Sequence, residues 1–116
     1  MNTLDTAVLG ELRVLDGEDL RDLIELYFAD VVTQLGLLRD ALAAGDGDAV
    51  AASAHRIKGA SLSIGAAGIA GVASELELAG KSGELAGAAQ LISTLDSELD
   101  PTRTALSAEL AVELAD

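Results

Sequence analysis

The chain has no cysteine and no tryptophan, and only one tyrosine, one phenylalanine, one proline and one histidine. Without cysteine there is no disulfide framework and no thiolate chemistry. Without aromatic bulk the core must be built from leucine, alanine and other aliphatics. That palette, with few β-branched runs, fits closely packed helices better than a sheet. Basic residues are scarce as well: seven Lys and Arg against twenty Asp and Glu give a formal net charge of -13. A phosphate backbone or an anionic membrane surface would repel such a chain, so neither nucleic acid nor membrane is a partner. No apolar run approaches the ~20 residues of a membrane span, and the opening Met1-Asn2-Thr3-Leu4-Asp5 lacks a basic signal-peptide head. The expected location is therefore cytoplasmic, and Met1 with the compact length favours a free-standing protein.

What the sequence does contain is helical periodicity. At 116 residues it is read as one domain, residues 1–116, able to bury about two thirds of its unfolded surface around one core. Leu4, Val8, Leu12 and Leu15 stand at helical spacing, and residues 5–15 are read as a short leading helix that docks on one end of a larger bundle. Residues 19–44 hold the clearest stripe: Leu20, Ile24, Tyr27, Val31, Leu35, Leu38 and Leu42, with Phe28 alongside. On a helical wheel these fall within an arc of about 100°, the width of a core-facing surface. Gly45 suits a left-handed helix end, and Asp46 or Asp48 can cap the next helix. So short a connection makes the third helix, residues 47–63, an antiparallel neighbour. Its inward stripe is Val50, Ala54, Ile57, Ser61 and Ile64, with Ser61 returning its hydroxyl to the backbone one turn earlier.

Gly65 makes the next turn. A fourth helix follows over residues 66–79 with Ile69, Val72, Ala73 and Leu76 inward, and Gly80-Lys81-Ser82-Gly83 ends it. The last helix is expected from residue 84, with Leu85, Ala88, Ile92, Leu95 and Leu99 inward. Pro101 interrupts it, which implies a kink or a break, with Asp100 and Pro101 able to restart a helix. Leu106, Leu110 and Leu114 form a further stripe, on the edge of the bundle or against a second chain. The fold read from this pattern is all-α: an antiparallel up-down four-helix bundle with a short additional N-terminal helix, expected as a monomer.

The one histidine stands out against this scaffold. With Val50 at the origin of the third helix, His55 falls at about 140°, Gly59 at about 180°, Leu62 at about 120° and Lys58 at about 80°. The histidine therefore points outward, with Ala51, Ala52, Gly59 and Leu62 making a low, partly apolar platform around it. A neutral imidazole is nucleophilic near physiological pH, a lysine one turn on can supply charge to phosphoryl oxygens, and a glycine beside the ring leaves room for an approaching protein. Each residue also has an ordinary explanation. A lone helix-surface histidine or lysine is usually just solvated, Gly59 could serve helix packing, and isolated exposed leucines are common.

The run His55-Arg56-Ile57-Lys58-Gly59-Ala60-Ser61, followed by Ile64-Gly65-Ala66 and later by Leu76-Glu77, resembles the signature of histidine-containing phosphotransfer (HPt) domains. That pattern is H-x-[apolar]-K-G-x-[S/A]-x-x-[apolar]-G-A, then an L-E pair some ten residues on. Residues 23–45 resemble the family's long second helix and its turn, and the resemblance covers roughly residues 5–107. It implies that His55 accepts the phosphoryl group, Lys58 steadies it, and Gly59 admits the partner's active-site loops. It also implies that Gly65 and Ala66 make the turn that packs the hairpin. Glu77 matches a glutamate that helps orient the histidine in related domains of chemotaxis kinases; here it is read as a surface carboxylate. Ile57 where leucine is commoner, the glycines at 68 and 71, and Pro101 depart mildly from the pattern.

The resemblance implies a passive phosphorelay carrier rather than an enzyme. His55 would accept a phosphoryl group from a receiver-domain aspartate, or from a sensor histidine kinase, and pass it to a response regulator. The chain has no Walker loop and no kinase glycine-rich loop. It would need no cofactor of its own, the metal ion being expected in the partner receiver domain. Docking is expected on Ala51, Ala52, Gly59 and Leu62, with Gly36 facing them from the second helix. The competing reading is a helical docking or inhibitory module that binds a receiver or kinase without phosphotransfer. A hydrolase or metal enzyme fits poorly, since one histidine has no second ligand at i+4 and no nearby base.

Overall fold

A computed structural model describes residues 4–112 as five helices: α1 Thr6–Leu12, α2 Gly17–Ala43, α3 Gly47–Ile64, α4 Ala67–Ser82 and α5 Ala88–Leu110. Each of the first three begins where an aspartate can accept from free backbone N–H groups. Asp5 bonds Ala7 and Val8, Asp16 bonds Asp19, and Asp46 bonds Ala49. Glycine ends two of the five helices: Gly65 closes α3 at φ 81° and Gly83 closes α4 at φ 77°.

The long helix α2 packs on α3, α3 on α4, α4 on α5, and α5 back on α2. Side-chain partners show the chain directions. Tyr27 meets Ser61 and Asp30 meets Arg56 between α2 and α3, while Glu25 meets Arg103 and Arg39 meets Asp96 between α2 and α5. In both pairings one helix counts up as the other counts down. The stripe of α2 is the buried one: Leu20, Ile24, Tyr27, Phe28, Val31, Leu35 and Leu38 are all within the core, with Leu42 at its edge. From α3, Val50, Ala54 and Ile57 are fully enclosed, and so are Ile69, Ala73 and Leu76 from α4.

Several details differ from the sequence reading. In α1 the enclosed residue is Leu9, and Leu15 is exposed, because the helix ends at Leu12 and Leu15 lies beyond it. α1 does sit at one end, on the α3–α4 turn. Asp5 N–H donates to the Gly65 carbonyl at 2.7 Å, and a Cβ on Gly65 would come within 3.3 Å of Leu9. The last helix starts at Ala88 rather than residue 84, since α4 runs on to Ser82 and the turn between them lies between Gly83 and Gly87.

α5 passes through Pro101 without the break and restart at Asp100. Pro101 is exposed, as is Ser97 one turn earlier, so water can satisfy the carbonyl that proline leaves without its donor. Leu106 and Leu110 are buried inside this chain, which removes them from any interface with a second one; Leu114 lies outside the described residues. Ser61 does not turn back on its own helix. Its hydroxyl pairs with Tyr27 at 2.6 Å inside the core, and burial pushes the Tyr27 phenol up to about 12.

Beside Pro101, Thr102 is 1% exposed and its Oγ1 has no hydrogen-bond partner among the described residues. A buried hydroxyl left unpaired forfeits its hydration for nothing in return. Thr102→Val, which keeps the shape and removes the hydroxyl, is expected to raise stability by about 1 kcal/mol, read from urea unfolding.

Candidate functional site

His55 sits midway along α3 on an exposed face, its side chain 68% accessible. The stripe Val50, Ala54, Ile57 and Ser61 faces inward, so the next positions around the helix must face out. The ring is nevertheless held. Its Nδ1 lies 2.9 Å from Oε2 of Glu77, on the neighbouring helix α4. Lys58 lies one turn from His55 and places its ammonium 2.6 Å from the other oxygen, Oε1. Lys81, one turn further along α4, bonds Oε2 at 3.2 Å.

Glu77 is thus the centre of the cluster, not a surface carboxylate: its side chain is only 7% accessible. It lies on the flank of α4 that turns toward α3, where a carboxylate is stable only if paired. The Lys58 hydrogen bond holds its carboxyl well below the usual range, to about 2. Burial opposes that shift, and Lys81 and His55 add to it. The carboxylate is therefore ionised at any physiological pH and can only accept hydrogen bonds. It follows that His55 Nδ1 is the donor, so in the neutral ring the free lone pair is on Nε2. Because the folded carboxyl titrates lower than an ordinary one, this cluster's contribution to stability is full above about pH 4.5. It is lost as pH falls through about 2.

What brings α4 close enough is a pair of glycines. A Cβ on Gly80 would lie 2.5 Å from the Gly47 carbonyl oxygen and 2.6 Å from the Ala51 nitrogen, and one on Gly47 would lie 2.6 Å from the Gly80 carbonyl oxygen. The backbones touch there, one turn from Glu77. By contrast, a Cβ on Gly59 or Gly71 would meet nothing within 4 Å. Close helix approach thus does not account for either.

Of the residues singled out in the sequence, the structure brings His55 and Lys58 onto one carboxylate and leaves Ala52, Gly59 and Leu62 exposed on the same helix. Ala51 is 8% exposed and packs against Gly80, so it supports the platform from beneath rather than lining it. Gly36 is exposed, but on α2 it falls within about 60° of Glu25 and Arg39, which pair with α5. That is the flank away from His55. The α2 residues that reach the α3 face are instead Leu23, Leu26 and Asp30. They line a groove of about 340 Å³ with Arg56, Ala60 and Ser63, and Arg56 bonds Asp30 at 3.2 Å.

Two contributions escaped the sequence reading. Lys81 stands in the Gly80–Gly83 turn of the sequence, although its i,i+4 spacing from Glu77 is a pairing signal. Gly80 was also read as turn, although on the α4 wheel it falls within about 20° of Ile69, along the line of Ala73 and Leu76.

Residues 22–105 match the Hpt domain family. The chain is also similar to a solved structure, the crystal structure of histidine-containing phosphotransfer protein B (HptB) from Pseudomonas aeruginosa PAO1. The identity is 33% and the TM-score 0.85, covering 94% of this chain and 95% of that one. Among proteins of curated function, none matches. An all-helical fold of this shape, a family match over most of the length and an identity of 33% over nearly the whole chain agree: the chain belongs to the Hpt family of phosphorelay phosphotransfer domains.

Proposed function

We propose that His55 is the phosphoryl acceptor of a phosphorelay carrier, taking the group from a receiver-domain aspartate and handing it to another receiver. The observation that carries this reading is the exposed ring whose Nδ1 is committed to an ionised Glu77, which leaves the Nε2 lone pair as the nucleophile. In the transfer, the bond between phosphorus and the aspartyl oxygen breaks, an Nε2–P bond forms, and the receiver's carboxylate is the leaving group. No proton has to move. Nδ1 keeps its hydrogen, and the positive charge that develops on the ring lies against the Glu77 carboxylate, the role an aspartate plays behind a catalytic histidine. Lys58 provides charge for the phosphoryl oxygens. The return step runs the same bonds in reverse, so direction depends on which receiver is loaded. A sensor histidine kinase acts upstream of that receiver.

Gly59 supports the same reading. Glycine in a helix interior costs about 1 kcal/mol relative to alanine. Nothing among the described residues occupies the space its missing side chain leaves. A partner's loops closing over His55 would use it. Ala52, Gly59 and the 55% exposed Leu62 form the docking surface, and the groove between α2 and α3 extends it. Contact there is small and partly apolar, as suits a transient partner. The carrier acts as a cytoplasmic monomer, and the metal ion of the reaction belongs to the receiver. No helix among the described residues is long and apolar enough to cross a membrane.

The test is transfer from receivers loaded with labelled phosphate. Wild-type protein is expected to acquire an acid-labile, alkali-stable phosphate, and His55→Ala none, with its fold unchanged because the side chain is largely exposed. Equal labelling of the variant, or unchanged signalling through it, would favour a docking module instead.

A further inference from the structure

The net charge of -13 is unevenly placed. Residues 47–82, which make α3, its turn and α4, hold three bases, Arg56, Lys58 and Lys81, and three acids, Asp48, Glu75 and Glu77, and so balance to zero. The whole excess lies on the remainder of the chain. Residues 49–74 contain no Asp or Glu, although twenty of the 116 residues are one or the other. Of the three acids in the hairpin, Glu77 is enclosed and paired, and Asp48 stands in the first turn of α3, two turns before His55. Glu75 falls about 160° round α4 from Glu77. Elsewhere the acids are less compensated. Glu18, Asp19, Asp22 and Asp40 on α2 and Asp100 on α5 are exposed and make no ion pair among the described residues. Repulsion from Asp16 foremost, with Glu18 and Asp22 adding to it, pushes the Asp19 carboxyl up.

The inward positions of α3 and α4 are apolar because they are core, which explains part of the acid-free run. It does not explain the outward part. There Ala52, Gly59, Leu62, Ser63 and Gly71 are exposed, in positions like those where α2 and α5 carry acids. In the α2–α3 groove the one acid, Asp30, is neutralised by Arg56. α5 packs on α4 and α2 and lies diagonally across the bundle from α3, so much of the excess is carried on the side turned from His55. At physiological salt an exposed charge is felt over about 8 Å, so the side is chosen as two surfaces come together.

We propose that the partner presents an anionic surface around its phosphorylated aspartate, and that charge segregation in this chain selects the side on which it docks. The acidic outer faces of α2 and α5 repel it, and the neutral α3–α4 hairpin admits it. A phosphoryl group on a carboxylate is itself anionic, so the surface that has to reach Nε2 carries the charge that the rest of the molecule turns away. This rests on the reading of His55 as the phosphoryl acceptor. It adds the sign of the partner's contact surface and the means by which that surface is oriented.

The test follows, by stopped flow, the association of a receiver loaded with phosphate, and in parallel the transfer of its phosphate. Aspartate and its neutral isostere asparagine are placed at one exposed serine on each side, Ser63 on α3 and Ser97 on α5. At low ionic strength Ser63→Asp is expected to associate about threefold more slowly than Ser63→Asn, and the gap is expected to close at about 0.5 M salt. Ser97→Asp and Ser97→Asn are expected to agree within about 1.5-fold, although the added charge is the same. The wild-type association rate is expected to rise with salt, as for two anionic bodies. A wild-type rate that falls steeply with salt would mean that a cationic partner seeks the acidic helices, and would overturn the proposal. So would equal slowing by aspartate at both serines, or no slowing at Ser63. Association ordered as expected, without transfer of phosphate to the wild-type protein, would overturn the proposed function alone.

Discussion

Gly80→Ala is expected to destabilise the protein by about 3 kcal/mol and to lower its melting temperature by roughly 10 °C. The added Cβ would fall 2.5 Å from the Gly47 carbonyl oxygen, 2.6 Å from the Ala51 nitrogen and 2.9 Å from the Ala51 Cβ. None of these can swing aside as the end of a flexible side chain could; relief requires α4 to move away from α3. Glu77 is one turn from the contact, so the displacement also draws its carboxylate from His55 and Lys58. Thermal unfolding followed by circular dichroism gives the stability change, and phosphotransfer kinetics below the melting range give the functional one. Gly71→Ala on the same helix is the control. Its Cβ meets nothing, so it is expected to stabilise α4 by roughly 0.5–1 kcal/mol. Equal effects at the two positions would mean that the α3–α4 backbone contact does not form as described.

Glu77→Gln is expected to slow phosphoryl transfer by about 10- to 100-fold with little change in fold. The amide has the same shape but no charge. It can present an oxygen to Nδ1–H or an N–H to a bare Nδ1, so the ring is no longer held to the tautomer with its lone pair on Nε2. It also fails to balance the positive charge that grows on the ring, and it releases both lysines. Rapid-quench transfer from a loaded receiver measures the rate, and nitrogen NMR of the imidazole measures the tautomer. Both should change together. A variant that transfers at the wild-type rate would reduce Glu77 to a structural ion-pair partner.

How much of this was readable beforehand depended on how local each feature is. The stripe of α2 and the turns at Gly45 and Gly65 follow from periodicity and from the backbone preferences of glycine and aspartate. Those act within a few residues. The outward direction of His55 followed equally from the wheel of α3. Glu77 did not, because its burial is set by how far α4 slides along α3. That register is fixed by Gly47 and Gly80, thirty-three residues apart in sequence. The Tyr27–Ser61 hydrogen bond is of the same kind: each residue was placed on a core stripe, but their meeting needs the α2–α3 register. The unbroken run of α5 through Pro101 was not legible for a different reason. The cost of an interior proline depends on whether the freed carbonyl reaches water, and that depends on which face of α5 is covered.

The chemistry proposed for His55 depends on Glu77 holding Nδ1 and so presenting Nε2 to the partner. The direct test is to load the wild-type protein from a phosphorylated receiver and assign the phosphorylated nitrogen from phosphorus–nitrogen couplings in imidazole-labelled His55. Phosphate on Nε2, with Nδ1 still protonated, is the predicted result. Phosphate on Nδ1, or an equal mixture of the two, would contradict it.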